Sequence, residues 1–280
     1  MTFILTTKTE LFKIFSRPRT YIAYAAILII ILAIQFAIYA DGQKLLDFTT
    51  QNLRESFDFS GNLLNGYFIS YLILNALWVH IPLLVALVVG DLLAGEANMG
   101  TFRFILTKPV SRMTLCASKF IAAILYSASL IILLGILSLV LGVLLFGSGD
   151  LIVLRDTINI FSEDDILWRC ILAFAYGLLG MCVVAALSFF LSALSDNSIG
   201  PIIGTMTIII ACTIFSSLDV SIFHYIRPFL FTTYITEWRS FFDYQIDYQK
   251  LTKASLVLLA HIVILFSFTI YYFNKKDILS

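Results

Sequence analysis

Uncharged, mostly apolar stretches alternate with short polar ones along this chain, and six of the apolar stretches could cross a bilayer. They cover 21–40, 67–90, 120–149, 170–195, 197–218 and 254–274; the shortest has 20 residues and the longest 30. A helix rises about 1.5 Å per residue and needs roughly 20 residues to cross the hydrocarbon core. The longest block would measure about 45 Å as a helix, so it must tilt or project beyond the lipid. No block alternates apolar and polar residues with a period of two, which disfavours an outer-membrane barrel. The pattern predicts an all-α membrane protein whose single domain, 1–280, is a six-helix bundle.

Smaller patterns lie between the blocks. Ahead of the first, Ile4, Leu11 and Phe15 fall near one helical face while Lys8 and Lys13 lie away from it, and Pro18 follows. That spacing predicts an amphipathic helix lying in the membrane interface. Between spans two and three, Met99, Phe102 and Leu106 share a face, with Ile105 beside them and Arg103 elsewhere; Lys108-Pro109 ends the run. This predicts a second amphipathic helix within 96–112, of the kind that docks into a groove on a partner. Spans four and five are separated only by 195–198, so they are antiparallel neighbours. Gly200 and Gly204, like Ala173 and Gly177, stand four apart and allow close helix approach. The segment 218–250 has ten aromatic residues in 33, interrupted by Arg227, Pro228 and Arg239. It reads as a re-entrant or interfacial pair of short helices before span six. Pro82, in the middle of span two, removes the donor that would reach Trp78 and predicts a kink there.

Composition agrees. Hydrophobic residues make up 60% and charged residues 13%, against about 25% charged in soluble domains, and the mean hydropathy is +0.96. Net charge is zero, but its distribution divides the chain. Segments 1–19, 91–119, 195–198 and 274–280 hold ten basic and five acidic residues; 41–66, 147–165 and 218–250 hold six basic and thirteen acidic. Short loops rich in Lys and Arg stay inside, which predicts both termini in the cytoplasm. The first block is too long for the apolar core of a secretory signal and reads as a retained signal anchor. The four cysteines, Cys116, Cys170, Cys182 and Cys212, have no Cys-x-x-Cys spacing and read as packing residues.

Candidate chemistry is sparse. There is no phosphate-cradling Gly-x-x-x-x-Gly-Lys-Ser/Thr loop, no His-Glu-x-x-His helix and no Gly-x-Ser-x-Gly elbow. No catalytic, cofactor-binding or metal-ligating residue is assigned, and the chain is not expected to be an enzyme. No Asp, Glu, Lys or Arg stands mid-span, where an ion- or proton-driven pump would need one. His80 and Asn75 are candidates for lining a path.

The run Gly95-Glu96, Gly100-Thr101 and Leu106-Thr107-Lys108-Pro109-Val110-Ser111-Arg112, with Lys119 at the start of span three, resembles the signature loop of type-2 ABC exporter permeases. The layout of the whole chain resembles that family too, down to Lys275-Lys276-Asp277 just past span six. The resemblance implies a coupling helix that docks on a separate ATPase, with Met99, Phe102 and Leu106 as the ridge. Glu96, Arg103 and Arg112 would then make rim contacts, and Gly100 would permit close approach. It further implies two ATPase copies binding Mg-ATP, no cofactor in this chain, and a second permease copy, identical or paralogous. Membrane lipid and an accessory protein outside complete the expected partners; nucleic acid is not among them. The implied location is the bacterial cytoplasmic membrane. A stand-alone carrier or channel is the alternative.

Overall fold

The structure, a computed structural model, describes residues 3–54, 62–101, 110–154 and 158–276, with 45–54 described in backbone only. It is mostly helical, and six helices are long and apolar enough to cross a membrane. After α1 (Phe3–Phe15), Pro18 opens α2 (Pro18–Arg54), which kinks at Asp41 just past the first apolar block. Proline suits a helix's first turn, where its missing N–H would have had no partner.

The second crossing is broken. It comprises α3 (Gly66–Leu77), α4 (Ile81–Val89) and α5 (Asp91–Asn98), with turns over Trp78, Val79 and His80 between the first two. The kink expected from Pro82 is therefore a full interruption: Leu83 and Leu84 both donate to the His80 carbonyl, at 3.1 and 3.4 Å. Asn65 caps α3, accepting from the N–H groups of Tyr67 and Phe68 at 3.1 and 3.0 Å.

The third crossing joins α6 (Arg112–Gly135), a π-helical turn (Ile136–Val140) and α7 (Leu141–Phe146). Gln35 of α2 donates to the Leu137 carbonyl inside that π turn at 2.8 Å. Gly66 packs directly on this crossing, since a Cβ there would come within 2.3 Å of the Val143 nitrogen.

A two-stranded antiparallel hairpin follows, β1 (Leu151–Leu154) and β2 (Ile158–Phe161), pairing Leu151 with Phe161 and Leu154 with Ile158. It corrects the all-α expectation. Apolar Leu151, Val153 and Phe161 turn inward, giving this short stretch a buried face. Crossing four is α8 (Glu163–Leu194), the central helix of the bundle, and crossing five is α9 (Ile199–Ser217). The small residues of both pack within the chain: a Cβ at Gly204 would lie 3.2 Å from Leu191, and one at Gly177 3.6 Å from Trp78.

The aromatic segment forms α10 (Ser221–Ile226), a 3-10 turn (Arg227–Phe229), α11 (Phe231–Ile235) and a second 3-10 run (Thr236–Phe242). Its two halves differ. Tyr225 and Phe229 are exposed, whereas Phe231, Trp238 and Phe242 are buried, the last two with their rings against Tyr71 of α3. The sixth crossing is α12 (Tyr248–Lys275).

Candidate functional site at the basic end

One end of the bundle gathers α1, α5, the start of α6, the α8–α9 turn and the end of α12. This is the grouping of loops expected from their Lys and Arg content. Its centre is a buried cluster of charges. Lys119, two turns into α6 and only 1% exposed, donates to Glu10 of α1 at 2.6 Å and pairs with Glu96 of α5 at 2.7 Å. Lys13 pairs with the same two carboxylates at 2.7 and 3.0 Å. Two acids and two lysines leave the quartet neutral, which is how charges come to be buried at all. Burial alone would raise the Glu10 carboxyl, but the charge and hydrogen bond of Lys119, and then those of Lys13, hold it below its ordinary value. For Lys13, burial acts to lower the ammonium; the charge of Glu96, with the bonds and charge of Glu10, keeps it raised instead.

A second pairing lies one turn earlier on α5. Asp91, itself buried, takes Arg17 and, at 2.9 Å, Arg19. Gly95 makes room for this carboxylate: a Cβ at Gly95 would meet the Asp91 Oδ1 at 2.4 Å. The start of α5 is capped from another crossing. Gly90 offers no side chain, so Ser192 of α8 accepts from the Leu93 and Ala94 N–H groups at 3.1 and 2.9 Å and donates to the Gly90 carbonyl at 2.7 Å.

The end of α5 is equally defined. Gly100 has φ +65°, its N–H reaches the Ala97 carbonyl at 3.0 Å, and Thr101 N–H reaches the Glu96 carbonyl at 3.0 Å. These are the two bonds of a Schellman cap, which needs a left-handed residue where Gly100 stands. The helix containing Glu96 therefore stops at Asn98, which corrects the expectation of one helix running from 96 to 112. Residues Phe102, Arg103 and Leu106 lie outside the described residues.

Glu96, expected at a partner's rim, is 3% exposed and held by its own chain. Arg112 opens α6 and donates to the Asn274 and Lys276 carbonyls at 3.2 and 2.9 Å, closing the end of α12. Lys276 in turn pairs with Asp196 of the α8–α9 turn at 2.7 Å. Met99 is 57% exposed, so its side chain points away from the cluster. Among the described residues, no atom lies within 4 Å of where a Cβ on Gly100 would sit.

α1 presents opposite chemistries on its two sides. Thr6, Glu10 and Ile14 face inward, while Ile4 and Phe12 are 69% and 74% exposed with Lys8 between them. Its charged stripe is buried and its apolar side faces outward, the inverse of a helix on a water-facing domain. The sequence pattern grouped Ile4 with Leu11 and Phe15 and set Lys8 apart, whereas the outward side carries Ile4, Lys8 and Phe12 while Leu11 packs on the core. It also missed Glu10 and Lys119 as partners 109 residues apart.

The path candidates take local roles. Asn75 donates to the Tyr71 carbonyl at 2.9 Å, and the His80 Nδ1 lies 3.1 Å from the Ala76 carbonyl, each four residues back along the chain. Among the described residues no three His, Cys, Asp or Glu side chains gather to hold a metal. The cluster at the basic end can hold and orient structural elements.

A family model described as "Protein of unknown function (DUF2705)" matches residues 27–279. The chain is also 25% identical over 211 residues to "Uncharacterized protein YhcI" of Bacillus subtilis (strain 168). That similarity covers 70% of this chain and 64% of the relative, so less than two thirds of the relative's length is spanned.

Proposed function

This chain belongs to the DUF2705 family, and from that premise we propose that it is the membrane-spanning permease subunit of an ATP-binding-cassette transporter. Two such subunits, identical or paralogous, work with two separate ATPase subunits that bind and hydrolyse Mg-ATP. The loop between crossings two and three is the coupling element. One observation carries this reading. Both anchor points of the loop, the end of α5 and the start of α6, are fixed by buried ion pairs and a carbonyl clamp, while Met99 at its entry is turned outward. A push on that loop would reach crossings two, three and six at once. In this reading Phe102 and Leu106 extend the Met99 ridge into a groove of the ATPase. α1 lies in the cytoplasmic interface with its apolar side in lipid, both termini are cytoplasmic, and 221–242 is the re-entrant element on the far side.

The test is co-purification with an ATP-binding-cassette ATPase encoded beside this chain, followed by its ATPase rate. Truncating an apolar hot spot typically costs about 2 kcal/mol or more. Phe102→Ala should therefore weaken assembly by roughly thirtyfold, and Met99→Glu should act in the same direction. Arg103→Ala should do much less. Full partner binding and activity in correctly inserted Phe102→Glu protein would remove the reading. So would substrate movement by the chain alone, which is the behaviour of a stand-alone carrier or channel.

A further inference from the structure

The break in the second crossing borders a partly open cavity of about 310 Å3, lined by Trp78, Val79 and Pro82, by α9, by Val184 of α8 and by the helix Phe231–Ile235. Its volume falls at the lower end of the roughly 300–1,000 Å3 usual for ligand sites. From the chemistry of its wall we propose that this cavity binds an uncharged amphiphile, an aliphatic chain ending in a hydroxyl.

Three observations lead there. First, the walls are aliphatic over most of their extent, and no lining residue carries a charge, so neither an ionised head group nor a salt finds a counter-ion. Second, the break leaves acceptors. Pro82 has no N–H to give Trp78, and Leu83 and Leu84 both turn to His80, so among the described residues no backbone N–H reaches the Trp78 or Val79 carbonyl. Backbone interrupted at membrane depth is tolerated where it lines a cavity that supplies the missing partners. Third, three lining hydroxyls already commit their protons: Thr213 donates to Ile209 at 2.8 Å, Ser217 to Ile214 at 3.0 Å and Thr236 to Thr233 at 3.1 Å. A hydroxyl has one proton to give and two lone pairs to offer. The Trp78 indole and the Thr232 hydroxyl aside, the wall therefore offers acceptors to whatever enters. A ligand matching it brings its own donor to the break and lays an alkyl body along Val79, Ile210 and Ile214. The inference does not depend on coupling to an ATPase and stands or falls separately from that reading.

The experiment uses the whole protein in lipid nanodiscs, labelled with a twelve-carbon alcohol carrying an alkyl diazirine and read by peptide mass spectrometry. Label should appear in 78–84 and 206–217, and 1-dodecanol should displace it at least tenfold better than dodecane. Thr213→Phe, at an exposed position, should lower labelling without harming the fold. Pro82→Leu restores a donor for the Trp78 carbonyl but not for Val79, and should lower the preference for the alcohol at least threefold while labelling persists. Pro82→Ala repeats that test with the smaller side chain. Equal displacement by alcohol and alkane would overturn the proposal, as would label found only elsewhere or a Thr213→Phe protein labelled like the parent.

Discussion

The two ends of the bundle are built from different physics. At the basic end, charges do the joining: Lys119, Glu10, Glu96 and Lys13 tie α1, α5 and α6 together with pairs at 2.6 to 3.0 Å. At the aromatic end, rings do it. Trp238, fully buried, lies 5.5 Å from Trp78 and 6.2 Å from both Tyr71 and Phe242. Among the described residues, one buried charge serves there. Arg169 stacks 4.5 Å over the Phe161 ring of the hairpin and donates to the Phe241 and Asp243 carbonyls at 2.8 and 2.9 Å. The hydrophobic burial of those rings is non-directional, so that end can lose one contact and relax part of the way around the gap. A buried ion pair cannot, because the surviving charge has no water to turn to. The basic end is thus the more brittle of the two, and its parts should move as a unit or come apart together.

The largest expected effect tests that brittleness. Lys119→Met removes the shared partner of two buried carboxylates, and breaking a buried pair from one side typically costs about 3–5 kcal/mol. Differential scanning fluorimetry in detergent should show a large drop in midpoint, and hydrogen exchange should rise over 3–15 while α8 stays protected. A midpoint within a degree of the parent would mean that the cluster holds nothing. Arg169→Met is the matching change at the other end. It strips two backbone carbonyls of a charged donor, a loss of about 1.5–3 kcal/mol per such bond at most, and the surrounding rings should limit the damage. Exchange should rise over 236–243 and the hairpin, with α1 unaffected. Equal global loss in both variants would erase the contrast.

Acidity separates the ends more gently. Glu10 is held below its ordinary value of 4.5, so its contribution is complete above 4.5 and is lost as the pH falls through the depressed folded-state value. Lys13 is held above its ordinary 10.5, so its contribution is complete below 10.5 and is lost as the pH rises through the elevated one. Attachment of α1 should therefore stay level from 4.5 to 10.5. A spin-label distance between Thr9 and Met113, both exposed, should hold constant across that window and lengthen only beyond it. Lengthening near neutral pH would show that some other group governs the joint.

Legibility in the sequence follows the same division. The six apolar helices and a distortion near Pro82 were readable because they depend on local features, an apolar run or a residue with no N–H, although the full interruption over 78–80 exceeds the expected kink. The density of aromatics in 218–250 marked that segment as unusual for the same reason. The charge cluster was not readable, because nothing at Glu10 announces that Lys119 will arrive from 109 residues away. Glu96 was singled out for the right neighbourhood and given an outward role; only the fold shows its side chain turned in. The hairpin at 151–161 escaped notice because each strand has four residues, too few for alternation to stand out.

The smallest expected effect concerns the two glycines that flank Glu96, which look alike in sequence and act differently. Gly95 is required for space, since any side chain would press on the Asp91 carboxylate. Gly100 is required for conformation: its φ is +65°, yet no atom of the described residues comes within 4 Å of its missing Cβ. A left-handed backbone costs a residue with a Cβ about 1–2 kcal/mol, and asparagine tolerates it best. Gly100→Ala should therefore lower the midpoint modestly and Gly100→Asn less. The pair also sharpens the coupling reading. If Gly100 serves the Schellman cap alone, Gly100→Asn should keep both its fold and its ATPase partner. If a partner backbone passes close to Gly100, the same variant should fold normally and still lose partner binding, which co-purification reads directly.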